Sequence, residues 1–147
     1  MIEIENINTS KKVFIVAEIG NNHEGNFEVA QKMIEEASLT GVDAVKFQTF
    51  IPEHYVRRED KERLKTLSKF KFSYEQFEKL SVIAKQKGLI FFSTPFDIES
   101  AKFLNTIQSI FKISSGDNNF YPLINLVAQF GKPMIVSTGN ADLELIK

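Results

Sequence analysis

The stretch AEIGNNHEG (17–25) brings Glu18, Asn21, Asn22, His23 and Glu24 together within seven residues, directly after the apolar run VFIV. A plain connecting turn needs glycine or asparagine, not this set of acids, amides and an imidazole. Glu18 follows the apolar run at once and has the chemistry of a general base or of a group that orients water. Its other reading is an ion pair at the side of a helix. Two lysines stand inside apolar runs, Lys46 in AVKFQTF and Lys112 in IFKIS. A buried lysine is costly unless an anion or carboxylate pairs with it, or unless its stem packs while its head reaches water. Two such lysines on two runs favour an anion site. Gln48 is two residues from Lys46 and so faces the same side of a strand.

Hydroxyls and glycines close the remaining runs: Ser93 and Thr94, then SSGD with Ser114, Ser115 and Asp117, then Ser137, Thr138 and Gly139. Backbone N–H groups in such turns can hold phosphate. Taken alone these are ordinary loop residues; beside two lysines they point to a phosphate or carboxylate ligand. His23 and His54 are the 2 histidines. They are far apart and lack the i, i+4 spacing of a two-histidine metal site, so none is expected in this chain. His54 reads as a surface loop residue. For His23 a loop-ordering hydrogen bond and a chemical role both stay open.

The elements that must position these groups follow from periodicity. Short, continuous apolar runs at 13–17, 44–47, 89–92, 110–113 and 134–136 predict buried parallel strands covered by helices. Ala30, Met33, Ile34 and Ala37 recur at helical spacing, with Gly41 as a stop. Ser73 and Gln76 predict a capping box before Phe77, Leu80 and Ala84. Asp97 predicts a cap for a short helix through Ile98, Ala101 and Leu104. Pro122 fits a first helical position ahead of Leu123, Leu126 and Val127. A further helix is expected at about 60–70. The order is β-α four times and then a fifth strand, an α/β arrangement with right-handed crossovers. It fits an open doubly wound sheet or the first half of a (β/α)8 barrel of about 250 residues. Both architectures place their sites at the carboxyl ends of the strands, where the groups above collect.

Composition narrows the class. The 147 residues are 43% hydrophobic and 25% charged, with 14 Phe, as expected for one globular domain with an aromatic-rich core. A net charge of −1 offers no broad attraction for nucleic acid. The absence of cysteine excludes disulfides, thiolate metal sites and a cysteine nucleophile. No secretory h-region and no apolar run of about 18 residues is seen, so a cytoplasmic protein without membrane contact is expected.

The same residues carry a family resemblance. AEIGNNHEG, GVDAVKFQTF, FFSTPFD, FKISSGDNNFYPLI and GKPMIVSTGNA, in that order from about Val13 onward, resemble the successive blocks of the sialic acid synthase family. The resemblance implies a TIM-type barrel, here its first five strands and four helical crossovers, with the remaining strands and an antifreeze-like domain expected outside this chain. It implies condensation of phosphoenolpyruvate with an N-acetylated hexose such as N-acetylmannosamine. It also implies a divalent metal, Mn2+ or Mg2+, with its ligands outside this chain, and a homodimer for the complete enzyme. Carried over by motif, Lys46, Thr94, Lys112, Ser115 and Ser137 would hold phosphoenolpyruvate. Gln48, Asn22 and His23 would contact substrate, and Glu18 and Asp117 would be catalytic. Asp117 stands where the family usually has Glu and reaches about one methylene less far, which points to a subgroup with a different sugar. The competing expectation is a non-catalytic half-barrel binding module, or a degenerate paralogue, that needs a partner. A synthase of 3-deoxy sugar acids is a third, against which the NHEG and STPF blocks speak.

Overall fold

The structure is a computed structural model that describes residues 3–5, 7–139 and 141–146. An antiparallel hairpin comes first, β1 (Glu3–Ile4) and β2 (Ile7–Asn8). Strand β3 (Val16–Gly20) follows, then α1 (Phe27–Ser38), β4 (Ala44–Thr49), α2 (Pro52–Tyr55), α3 (Lys61–Phe70) and α4 (Tyr74–Gln86). The second half runs β5 (Ile90–Pro95), α5 (Ile98–Leu104), β6 (Phe111–Ile113), a 3-10 turn (Ser115–Asp117), α6 (Tyr121–Gln129), β7 (Met134–Val136) and α7 (Leu143–Ile146). Strands β3, β4 and β5 form a parallel sheet in that order, and β6 pairs in parallel with β7.

Local chemistry sets most helix starts. The Asn26 side chain accepts from the Val29 N–H, that of Asp60 from Arg63 and that of Asp97 from Ser100. Ser73 and Gln76 complete the expected capping box on α4. Pro122 lies in the first turn of α6, one residue after its start. Each cap satisfies an N–H that the helix itself cannot.

The two faces of the strands bury different things. Outward, Val45, Phe47 and Phe91 pack with Ile34 of α1 and with Phe77, Leu80 and Ala84 of α4, while Phe111 and Ile113 pack with Leu104 of α5 and with Leu123 and Val127 of α6. Inward, Ala44, Ile90, Phe92 and Ile110 form a separate core with Ile4, joined by Ile7, Phe14 and Val16. Among the described residues no helix contributes to that inner core, against which the β1–β2 hairpin packs through Ile4 and Ile7. Helices on one face only, with apolar side chains filling the other, are the arrangement of a barrel rather than of a doubly wound sheet. Among the described residues β3 and β7 have no partner on their outer edges, so the barrel is partial and not closed.

The join between β5 and β6 is made by a side chain. The buried Gln108 amide accepts from the Ser93 N–H at 2.8 Å and donates to the Ser93 carbonyl at 3.3 Å, doing what a neighbouring strand would do. Lys132 holds the same corner, its Nζ donating to the carbonyls of Asn105 (2.5 Å) and Gln108 (2.7 Å).

Two expectations are corrected. The first main strand starts at Val16 and runs to Gly20 rather than over 13–17; Val13 and Ile15 are 76% and 50% exposed. Asp43 anchors the approach to this strand by accepting from the Ile15 N–H and pairing with Lys12, while the Asp43 and Ala44 N–H groups donate to the Ile15 carbonyl. His54 lies in the short helix α2, not in a loop. The β1–β2 hairpin was not foreseen, because two strands of two residues carry no readable period. No helix among the described residues is long and apolar enough to cross a membrane.

Candidate active site

The inner face changes character along its strands. Val16, Ala44, Ile90 and Phe92 make its apolar floor, and the next inward positions are Glu18, Lys46, Gln48 and Thr94. Glu18 and Lys46 are register partners, with Lys46 Nζ 2.6 Å from Glu18 Oε2. Lys46 is buried and also donates to the Thr94 hydroxyl at 3.1 Å. The register shifts between Glu18 and Gly20, a bulge of the kind that re-aims side chains at strand ends.

A second ammonium stands on β6. Lys112 Nζ donates to the Ser137 hydroxyl at 2.5 Å and to the Ile113 carbonyl at 2.8 Å. Burial pushes the Lys112 ammonium below the ordinary lysine value, the positive charge of Lys46 pushes it further, and Glu18 partly restores it. The two lysines therefore share one electrostatic neighbourhood, and an anion placed there would relieve both desolvation and mutual repulsion.

The turn after β6 backs this cluster. A Cβ on Gly139 would stand 3.2 Å from the Ser115 Cβ, so the loop after β7 lies directly against Ser115. Asn118 ties the two together by donating to the Gly139 carbonyl at 2.8 Å. The half-buried Asp117 has its Oδ2 buried without a partner. Burial pushes its carboxyl above the usual range, while the Ser114 hydroxyl pulls it back.

Residues 33–147 match the NeuB family. The chain belongs to that family. Pseudaminic acid synthase of Campylobacter jejuni is 36% identical over 157 residues, spanning 97% of this chain and 46% of that protein. N-acetylneuraminate-9-phosphate synthase of Homo sapiens is 34% identical, spanning 91% of this chain and 41% of that one. The crystal structure of N-acetylneuraminic acid synthetase from Leptospira borgpetersenii in complex with citrate superposes with a TM-score of 0.92 at 34% identity, over 99% of this chain and 52% of that chain. The chain thus spans 41–46% of these curated relatives and about half of the solved one.

Within this NeuB-family chain, Glu18, Lys46, Gln48, Thr94, Lys112 and Ser137 are brought to the inner face at the strand ends, with Ser115 and Asp117 in the adjoining turn. Asn22 and His23 are not part of that cluster. Asn22 turns its amide back onto the Ile19 carbonyl at 2.9 Å and lines a cleft with Ala17, Glu18, Val29 and Met33 between β3 and α1. His23 is buried against the helices, stacked on Phe72 at 4.1 Å, with its Nδ1 accepting from the Gly25 N–H at 3.0 Å. Burial lowers its pKa to about 4. Gly25 is required there: at φ 82 its added Cβ would stand 1.9 Å from the Lys69 carbonyl oxygen at the end of α3.

Two supports carried no signal in residue spacing. Asn21 donates to Gln48 Oε1 at 2.7 Å, and Gln108 holds the strand that carries Thr94. The metal implied by the resemblance is not fitted by these residues. Among the described residues no three His, Cys, Asp or Glu side chains converge. Glu18 is committed to Lys46, and His23 lies under Phe72.

Proposed function

We propose that this chain carries the phosphoenolpyruvate-binding half of a nonulosonate synthase site. The reaction condenses phosphoenolpyruvate with an N-acetylated hexose of the N-acetylmannosamine type and releases a nonulosonic acid and phosphate. The observation that carries this reading is the convergence of Lys46–Thr94 and Lys112–Ser137 beside Glu18 at the strand ends of a NeuB-family barrel. A Leptospira relative solved with citrate, a polyanion, supports an anion-accepting site in this family.

The chemistry follows from the residue types. Lys46 and Lys112 offset the charges of a tri-anionic substrate, and the hydroxyls of Thr94, Ser115 and Ser137 direct its oxygens. C3 of phosphoenolpyruvate forms a bond to the aldehyde carbon, whose oxygen takes up a proton and becomes a hydroxyl. Positive charge then develops at C2, where the Glu18 carboxylate stabilises it and takes a proton from the attacking water. The resulting C2 adduct collapses with cleavage of the C2–O bond, leaving a 2-oxo acid and phosphate. Lys112 and Ser137 stabilise the departing phosphate. Asp117, in the turn beside Ser115, is assigned to the sugar end of the site, where a carboxyl could deliver the proton of the new hydroxyl. The Mn2+ or Mg2+ of the complete enzyme is assigned in this proposal to residues outside this chain, as are the dimer contacts.

The test is phosphate release by the full-length protein given phosphoenolpyruvate and N-acetylmannosamine, compared with Lys46→Ala. Loss of turnover with a sharp rise in the phosphoenolpyruvate KM is expected. Unchanged phosphoenolpyruvate turnover in Lys46→Ala would overturn the site assignment.

A further inference from the structure

Gln48 stands on the same inward face of β4 as Lys46, two residues nearer the strand's carboxyl end. It therefore stands beside Lys46 on the carboxyl-end side of the sheet, where sites of such folds open. A glutamine amide has two ends of opposite sense: an oxygen that accepts and an NH2 that donates. Which end meets a ligand is decided only if the other end is held.

Asn21 holds it. Its Nδ2 donates to Gln48 Oε1 at 2.7 Å, which occupies the acceptor end and leaves Nε2, the donor end, for a ligand. A Cβ built on Gly20 would stand 3.9 Å from Gln48 Nε2 and 3.3 Å from Glu18 Oε1, so a glycine with a φ of +57 leaves room for both groups. Asn21 Oδ1 is buried without a partner.

We propose that Asn21 is a positioning residue that sets the hydrogen-bond polarity of Gln48, so that the sugar side of the site presents an NH2 donor and selects an oxygen acceptor on the incoming N-acetylated sugar. This rests on the synthase reading above and goes beyond it, because it assigns a role to a residue outside the phosphoenolpyruvate cluster.

The test inverts the polarity in place. In Asn21→Asp the carboxylate only accepts, so Gln48 must turn its NH2 toward residue 21 and its oxygen toward the sugar. In Asn21→Ala the amide is merely released. Gln48→Glu presents an acceptor to the sugar by a different route. Steady-state kinetics of the full-length protein should show the sugar KM rising roughly 10-fold or more in Asn21→Asp and in Gln48→Glu, and by a smaller factor in Asn21→Ala. The phosphoenolpyruvate KM should stay within about 2-fold of wild type. A merely structural role for Asn21 predicts the opposite order, because Asp is the closer isostere. An Asn21→Asp variant no worse than Asn21→Ala, or KM values for both substrates rising in step, overturns the proposal.

A readout independent of turnover keeps the two readings apart. The side-chain NH2 signal of Gln48, assigned by its loss in Gln48→Glu, should move in Asn21→Ala in a 1H–15N spectrum. An unmoved signal overturns the lock. A moved signal in a protein that releases no phosphate with any N-acetylated hexose upholds the lock and overturns the synthase reading.

Discussion

Glu18 and Lys46 face each other across β3 and β4 as register partners, and their charged ends meet at 2.6 Å on the inner face. The pair is unequal: the Lys46 side chain is 10% exposed and that of Glu18 is 54%. A buried ammonium is thus held by a carboxylate that water still reaches. Under the proposed function an arriving phosphoenolpyruvate would take over the ammonium and leave the carboxylate beside the reacting carbon.

Replacing that carboxylate separates binding from chemistry. Glu18→Gln keeps the shape and removes a negative charge next to an anion site. The phosphoenolpyruvate KM should be unchanged or lower, while kcat falls roughly 100-fold or more, the scale of a lost general base. Parallel measurement of kcat and KM in the full-length protein checks this. A KM that rises while kcat holds would make Glu18 a binding group only.

Lys112 sets an alkaline limit. Its ammonium is held below the ordinary lysine value, chiefly by burial. Anion binding depends on the protonated form, so affinity is intact below the Lys112 pKa and falls as pH rises through it. Calorimetric titration with phosphoenolpyruvate across alkaline pH should show the decline starting below the usual lysine range. Lys112→Gln should remove that limb and weaken binding at neutral pH. Glu18→Gln should move the limb to lower pH, because the Glu18 charge is what helps keep the proton on Lys112.

His23 makes stability pH-dependent. Its folded pKa is lowered from 6.5 to about 4, so between those values the unfolded chain binds the proton and the folded chain does not. Stability is therefore complete above pH 6.5 and is lost as pH falls toward 4, by on the order of 3 kcal/mol in full. Urea unfolding at pH 7 and pH 5 should show this slope in the wild type. The slope should shrink in His23→Phe, which keeps the stack on Phe72 without a titrating group. An equal slope in both proteins would assign the loss to other residues.

Gln108 supports β5 without touching the site. Gln108→Ala leaves the Ser93 N–H and carbonyl without their partners, at a cost of about 1–3 kcal/mol. Gln108→Glu should be worse, since a carboxylate would face the Ser93 carbonyl where the amide now donates. Both should lower the urea midpoint. A midpoint unchanged in Gln108→Ala would mean that backbone or water replaces the amide at no cost.

Much of the fold was readable in order along the chain, for local reasons. Ser73 and Asp97 cap their helices through side chains that reach only three residues on, so periodicity and caps determine those starts. The continuous apolar runs located β4, β5, β6 and β7. The polar strand ends were legible too, because Lys46 and Lys112 are costly inside apolar runs unless something pairs with them. The start of β3 was not, because Asp43, some 28 residues away, captures the Ile15 N–H. The placement of His23 was not either, because polarity alone cannot say which side of a strand end a loop imidazole will take.

What the sequence by itself determined is the alternation of strands and helices, the helix caps and the list of groups able to bind an anion. Each of these depends on neighbours within a few residues or on the cost of burying a charge. The tertiary structure decided which groups meet. It put Glu18 on Lys46, Ser137 on Lys112 and Asn21 on Gln48, and it sent His23 under Phe72 and Gln108 into the gap beside Ser93. Those pairings join residues up to 49 positions apart. They are set by strand register, by the bulge before Gly20 and by the apolar floor beneath the site, none of which is written in any one short stretch of chain.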